Sequence, residues 1–243
     1  MPEIVETVVY RVDELESQGR ARAREWYRVQ ALDPDWHEAV FDDFTAICEL
    51  LGVALATDAV PLMGGGHRRK PRIHFSGFCS QGDGACFEGR YAYRRAAVAE
   101  VRRHAPEDAE LHRIADALQA VQRKNFFQLR AEVGHHGRYL HELTMEITVE
   151  LDSSSGQDVM AEDRATVTEA LRDLARWLYR QLRREYEYLT SDNFVTDRQE
   201  IKLIAKNPLN GLSHEDTWVD FADKDGPTKK EMQHFIDNWD VIV

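Results

Sequence analysis

Apolar residues recur along this chain at two spacings, and most of the expected elements follow from them. Val40, Phe44, Ile47, Cys48 and Leu51 stand at helical intervals, and Gly52 is placed to end that helix. Asp33 and Pro34 ahead of it have the chemistry of an N-cap and a first helical turn. Leu111, Ile114, Ala115, Leu118, Val121, Phe126 and Leu129 predict another helix, opening near Pro106. Leu171, Leu174, Leu178, Leu182, Tyr186 and Leu189 form the stripe of a long helix over roughly residues 160–190. The clearest period-two pattern is Tyr139–Glu150. There Tyr139, His141, Leu143, Met145, Ile147 and Val149 alternate with polar residues, as in an antiparallel strand with one wet face. Residues 3–12, Val53–Val60, Arg72–Phe78 and Cys86–Tyr93 also read as strands. A first helix follows Asp13, which stands three before Glu16, and turns Leu15, Ala23, Trp26 and Tyr27 inward.

These elements predict an α+β fold: an antiparallel sheet with helices packed on one face. Residues 1–192 make the core domain. Residues 193–243 form an acidic C-terminal extension, packed on the core or used for a partner, with Trp218, Asp220, Phe221, Asp223 and Asp225 in one short run. Phe235 and Trp239 follow on a short helix that opens at Thr228.

Composition narrows the function classes. The 243 residues are 43% hydrophobic, enough for a real core, and carry a net charge of -12. That sign repels nucleic-acid phosphates, so direct nucleic-acid contact is not expected except where basic residues cluster; it suits docking on a basic protein surface. No apolar run approaches a membrane span, and the first residues lack the pattern of a signal peptide. Cys48, Cys79 and Cys86 make an odd set that fits a reducing cytoplasm.

The densest chemistry lies in the run SGFCSQGDGACFEG, residues 76–89. It lacks the lysine of a phosphate-binding loop, the third in-register glycine of a dinucleotide fingerprint, and a GxSxG nucleophile elbow. Gly82-Asp83-Gly84 instead suits a hairpin bend, dressed by Phe75, Phe78, Phe87, Tyr91 and Tyr93. Ser80, Gln81 and Asp83 at its tip are candidate partner-binding residues. No catalytic residue, cofactor or metal is assigned on this reading.

Two alternatives keep their own residues. His135, His136 and His141, with His74 on a neighbouring strand and Glu88 or Asp83 nearby, are the set for a metal-dependent hydrolase or nuclease. The loop HRRKPR, residues 67–72, with Arg94 and Arg95, is the set for a nucleic-acid-binding regulator.

The segments YRVDEL (10–15), AREWY (23–27), IHFSGFCSQGDGACFEG (73–89), LHRIA (111–115) and REYEYLTSD (184–192) together carry a resemblance. The chain resembles a group of phage and prophage proteins labelled antitoxins of toxin–antitoxin stability systems. That resemblance implies a small protein encoded by a mobile element, acting in the bacterial cytoplasm and without established catalytic residues. The expected function is therefore neutralisation of a partner protein by direct binding. The partner would be a toxin, or a host-defence effector inhibited in the manner of an anti-CRISPR.

Overall fold

The computed structural model describes residues 15–62, 64–152 and 158–197. In chain order they form α1 (Ser17–Trp26), α2 (Glu38–Leu51), β1 (Val53–Leu55), β2 (Thr57–Pro61), β3 (His67–Pro71), β4 (Ile73–Phe75), β5 (Ala85–Phe87) and β6 (Gly89–Ala92). Then come α3 (Ala97–His104), α4 (Ala109–Lys124), β7 (Leu129–His135), β8 (Met145–Leu151), α5 (Ala161–Leu189) and α6 (Asp192–Asp197). These divide into two compact units, one formed by His37–Glu185 and the other by the described parts of Met1–Trp36 and Tyr186–Val243. No described helix is long and apolar enough to cross a membrane.

The larger unit is α+β, as the alternation and helical stripes require. Its main sheet is antiparallel, in the order β1-β6-β7-β8. Side-chain alternation separates its two faces. Val53, Tyr91, Leu129, Ala131, Val133, Met145 and Val149 are buried, while Arg90, Arg130, Glu132, Glu146, Thr148 and Glu150 are exposed. Phe44, Ile47, Cys48 and Leu51 of α2, Leu111, Ile114 and Leu118 of α4, and Leu171, Leu174 and Leu178 of α5 complete the core. The open face is a charged ladder in which Arg90 pairs with Glu132 at 3.0 Å, opposite it in register.

Three single residues organise the remaining strands. Ala56 separates β1 from β2, Arg72 separates β3 from β4, and Glu88 separates β5 from β6. Their backbones close a ring. Ala56 N–H donates to the Glu88 carbonyl at 2.8 Å, Arg72 N–H to the Ala56 carbonyl at 2.8 Å, and Glu88 N–H to the Arg72 carbonyl at 3.0 Å. Three antiparallel pairs radiate from it: β1 with β6, β2 with β3, and β4 with β5. The ring satisfies backbone groups that would be orphaned where three strand pairs diverge.

Several expected elements differ in extent. The strand over Tyr139–Glu150 is confined to β8. Residues 142–144 form a short 3-10 turn, with the His141 imidazole accepting from Leu143 N–H at 3.1 Å and Thr144 Oγ1 donating to the His141 carbonyl at 2.7 Å. The helical stripe stops at Lys124, and Leu129 opens β7, an alternating strand that the stripe conceals. Residues 67–71 are a strand, not a loop. Asp33 and Pro34 open a turn, with Asp35 N–H bonded to the Asp33 carboxylate at 2.9 Å, and α2 begins only at Glu38. Asp108, rather than Pro106, caps α4, accepting from Glu110 and Leu111 N–H groups at 3.1 and 2.9 Å. The expected strand over residues 3–12 lies outside the described residues.

In the smaller unit α1 runs into a π-helical turn over Tyr27–Ala31. Arg24 and Arg28 both reach Asp192, at 3.0 and 2.6 Å, and Arg28 Nε donates to the Thr190 carbonyl at 3.0 Å. Trp36 lies over Tyr186 with ring centroids 5.6 Å apart.

Candidate functional site

The glycine-rich run folds as the sequence suggests: β4 and β5 pair, and residues 76–84 join them. Polar groups of the loop are bonded within it. Ser76 N–H donates to the Gly84 carbonyl at 3.0 Å, and Gly84 N–H to Ser76 Oγ at 3.1 Å. The Asp83 carboxylate accepts from Ser80 N–H at 2.6 Å and Cys79 N–H at 2.9 Å. The Ser80 amide, with help from Cys79 and the Ser76 hydroxyl, holds the Asp83 carboxyl below its usual range. Asp83 is thus a fastener of the loop, and the exposed tip is Cys79, Ser80 and Gln81.

Two glycines let this loop lie against the segment before β8. Gly82 has φ +95°, and a Cβ built there would come within 3.0 Å of the Tyr139 ring. A Cβ on Gly84 would stand 2.4 Å from His141 Cβ. From the other side α5 holds the loop. Tyr179 Oη donates to the Gly77 carbonyl at 2.9 Å, Arg183 donates to the Phe78 carbonyl at 3.0 Å, and the Phe78 and Tyr179 rings lie 5.4 Å apart. Burial, then the nearby Asp83 charge, pushes the Tyr179 hydroxyl pKa up.

The histidines of the hydrolase reading take separate partners. His74 stands 3.7 Å from Glu88 and 6.1 Å, ring to ring, from His135. His135 Nε2 is bonded to the Tyr139 carbonyl at 2.9 Å, and His136 pairs with Glu146 at 3.0 Å. His141 caps the turn already described, rather than lying on the apolar face of a strand. Glu88 pairs with Arg72 at 3.3 Å. Among the described residues, no three His, Cys, Asp or Glu side chains are grouped to hold a metal ion. Burial raises the thiol pKa of Cys48 and pushes that of Cys86 up to about 12, so neither is poised as a thiolate.

Trp218, Asp220, Phe221, Asp223 and Asp225, with Phe235 and Trp239, lie outside the described residues. Two features escaped sequence reasoning. The ring of Ala56, Arg72 and Glu88 is a backbone arrangement with no side-chain signature. Tyr179 and Arg183 lie on the same helix as the apolar stripe, and only tertiary structure shows that they reach the loop carbonyls.

No curated protein and no solved structure matches this chain. Residues 36–192, which hold the main sheet, the strand ring and the glycine-rich hairpin, match the family described as Domain of unknown function (DUF8835). The match takes in well over half of the chain, which therefore belongs to the DUF8835 family.

Proposed function

We propose that this protein is a mobile-element-encoded binding module that neutralises a partner protein, toxin or host-defence effector, by direct contact. The observation that carries the reading is the state of the 76–84 loop. Its acid is spent on backbone amides and its carbonyls are tied to α5, so the exposed Ser80 and Gln81 are offered on a fixed frame. A tip held this way loses little conformational freedom on binding, which favours recognition. Reaction chemistry would need an activated group, and the acid here is already committed. The net charge of -12 favours a partner with a basic surface, and the resemblance to antitoxin-labelled phage proteins points the same way.

The test is capture from the native host by immobilised full-length protein, beside the double variant Ser80→Arg, Gln81→Arg and a truncation at residue 192. A partner enriched by the wild type and lost from the double variant, with circular dichroism unchanged, is the expected result. Identical capture by wild type and double variant removes the loop from the interface and overturns the reading.

A further inference from the structure

We propose that the β2–β3 ribbon is a duplex-DNA-binding arm in which Arg68, Arg69 and Lys70 meet the phosphate backbone. This goes beyond partner neutralisation and is carried by a different part of the larger unit. The ribbon pairs Thr57 with Pro71 through to Pro61 with His67, and every residue in it except Pro71 is exposed. It has no core of its own. A two-stranded ribbon without a buried face is marginal in water, so its stem must hold it. The Ala56–Arg72–Glu88 ring and the pairing of Arg72 with Asp58 at 2.8 Å do so.

Its charge runs against that of the chain. Three consecutive cations lie on one strand of a protein whose net charge is -12. Asp58, the one acid on the ribbon, is engaged by Arg72. Arg68 makes an exposed pair with Glu38 at 3.3 Å; Lys70 stands opposite Asp58 in register, but the Asp58 carboxylate is taken by Arg72 at 2.8 Å. Successive residues of a strand point to opposite faces, so cations project from both sides of the ribbon. Ala59 and Val60 stand opposite Arg69 and Arg68 in register, which keeps the ribbon slender. Two strands about 5 Å apart and five residues long, about 17 Å, fit a B-form major groove about 12 Å wide, which admits a β-ribbon. The deep, narrow major groove of A-form RNA does not. Strand addition by a protein partner fits less well, because each strand is only five residues long and ends in a proline, Pro61 or Pro71, that has no N–H to donate.

Fluorescence anisotropy with a labelled, mixed-sequence DNA duplex of about 20 base pairs, titrated from about 20 mM salt upward, tests the arm. The expected wild-type slope of log affinity against log salt is about -2.7, for three phosphate contacts. Arg69→Ala with Lys70→Ala should reduce the slope by about 2 and weaken low-salt binding at least about tenfold. Arg130→Ala, on the open sheet face, should change neither. The proposal is overturned by a flat wild-type titration at low salt or by an unchanged slope in the double variant. Equal affinity for an A-form RNA duplex, or binding of anionic phosphatidylserine vesicles in place of DNA, overturns it as well.

Discussion

Arg72 and Glu88 are joined twice: Glu88 N–H donates to the Arg72 carbonyl at 3.0 Å, while the Arg72 guanidinium lies 3.3 Å from the Glu88 carboxylate. The backbone bond belongs to the strand ring, and the side-chain pair lies across it, with Asp58 as the second acid on Arg72. Asp58 and Glu88 together raise the guanidinium pKa, Asp58 first. Arg72→Ala should therefore loosen the ribbon at its stem while sparing the main core, because the side chain is partly exposed and its acid partners, Asp58 and Glu88, lie at that stem. Hydrogen exchange checks this. Amide protection in β2 and β3 should fall, and protection in β7 and β8 should stay at the wild-type level.

The extent of this architecture that the sequence discloses depends on burial. The α2 stripe through Phe44, Ile47, Cys48 and Leu51 is legible because each side chain is buried, and Gly52 ends the helix with φ +86° as its position suggests. The 67–71 strand is not legible, because a strand with no buried face leaves no alternation to find. The alternation from Tyr139 is real but extends too far, since hydrogen bonds of His141 and Thr144 curl residues that would otherwise continue β8. Of the proposed tip, Ser80 and Gln81 are exposed as expected. The inward turn of Asp83 follows from its bonds to the Ser80 and Cys79 amides, which precede it in the chain and which its preference for loops does not reveal.

Close approach, more than turn conformation, fixes Gly84. Its missing Cβ would stand 2.4 Å from His141 Cβ and 2.8 Å from His141 Cα, and backbone cannot move aside as a flexible side chain can. Gly84→Ala should destabilise the protein by about 1–3 kcal/mol through overpacking, read as a shift in urea midpoint with an unchanged slope. Gly77 is the internal comparison. Its nearest neighbour would be the Asp83 carboxylate at 3.4 Å, an ordinary contact, and Gly77→Ala should stay within about 0.5 kcal/mol of wild type.

Gln122 is fully buried and serves the backbone of another element. Its Nε2 donates to the Leu129 carbonyl at 2.7 Å, and its Oε1 accepts from Leu129 N–H at 3.2 Å, fixing the first residue of β7 beside the end of α4. Gln122→Leu keeps the volume but leaves both Leu129 groups buried and unpaired. The expected loss is about 3 kcal/mol, since each unsatisfied group costs about 1–3 kcal/mol. Equilibrium urea unfolding measures it, and a loss below about 1 kcal/mol would mean that Leu129 has found other partners.

Between those elements the chain takes an unusual turn. Phe126 and Phe127 have φ of +54° and +63°, a region bulky residues rarely adopt, and Phe126 is 82% exposed. Asp163 of α5 holds the entrance, accepting from Lys124 at 2.7 Å and from Asn125 at 3.0 Å. Lys124, then Asn125, lowers the pKa of its carboxyl below the ordinary value. A depressed folded-state pKa contributes stability that is complete above the unfolded-state value of about 4 and is lost as pH falls through the lower folded-state value. Asp163→Asn should therefore be less stable than wild type near neutral pH, with the gap closing as acid protonates the wild-type carboxyl. In parallel, the Phe127 amide, bonded to the Gln122 carbonyl at 2.7 Å, should exchange faster in the variant at neutral pH. A stability gap that persists unchanged to the bottom of the acid titration would show that Asp163 acts there through packing rather than charge.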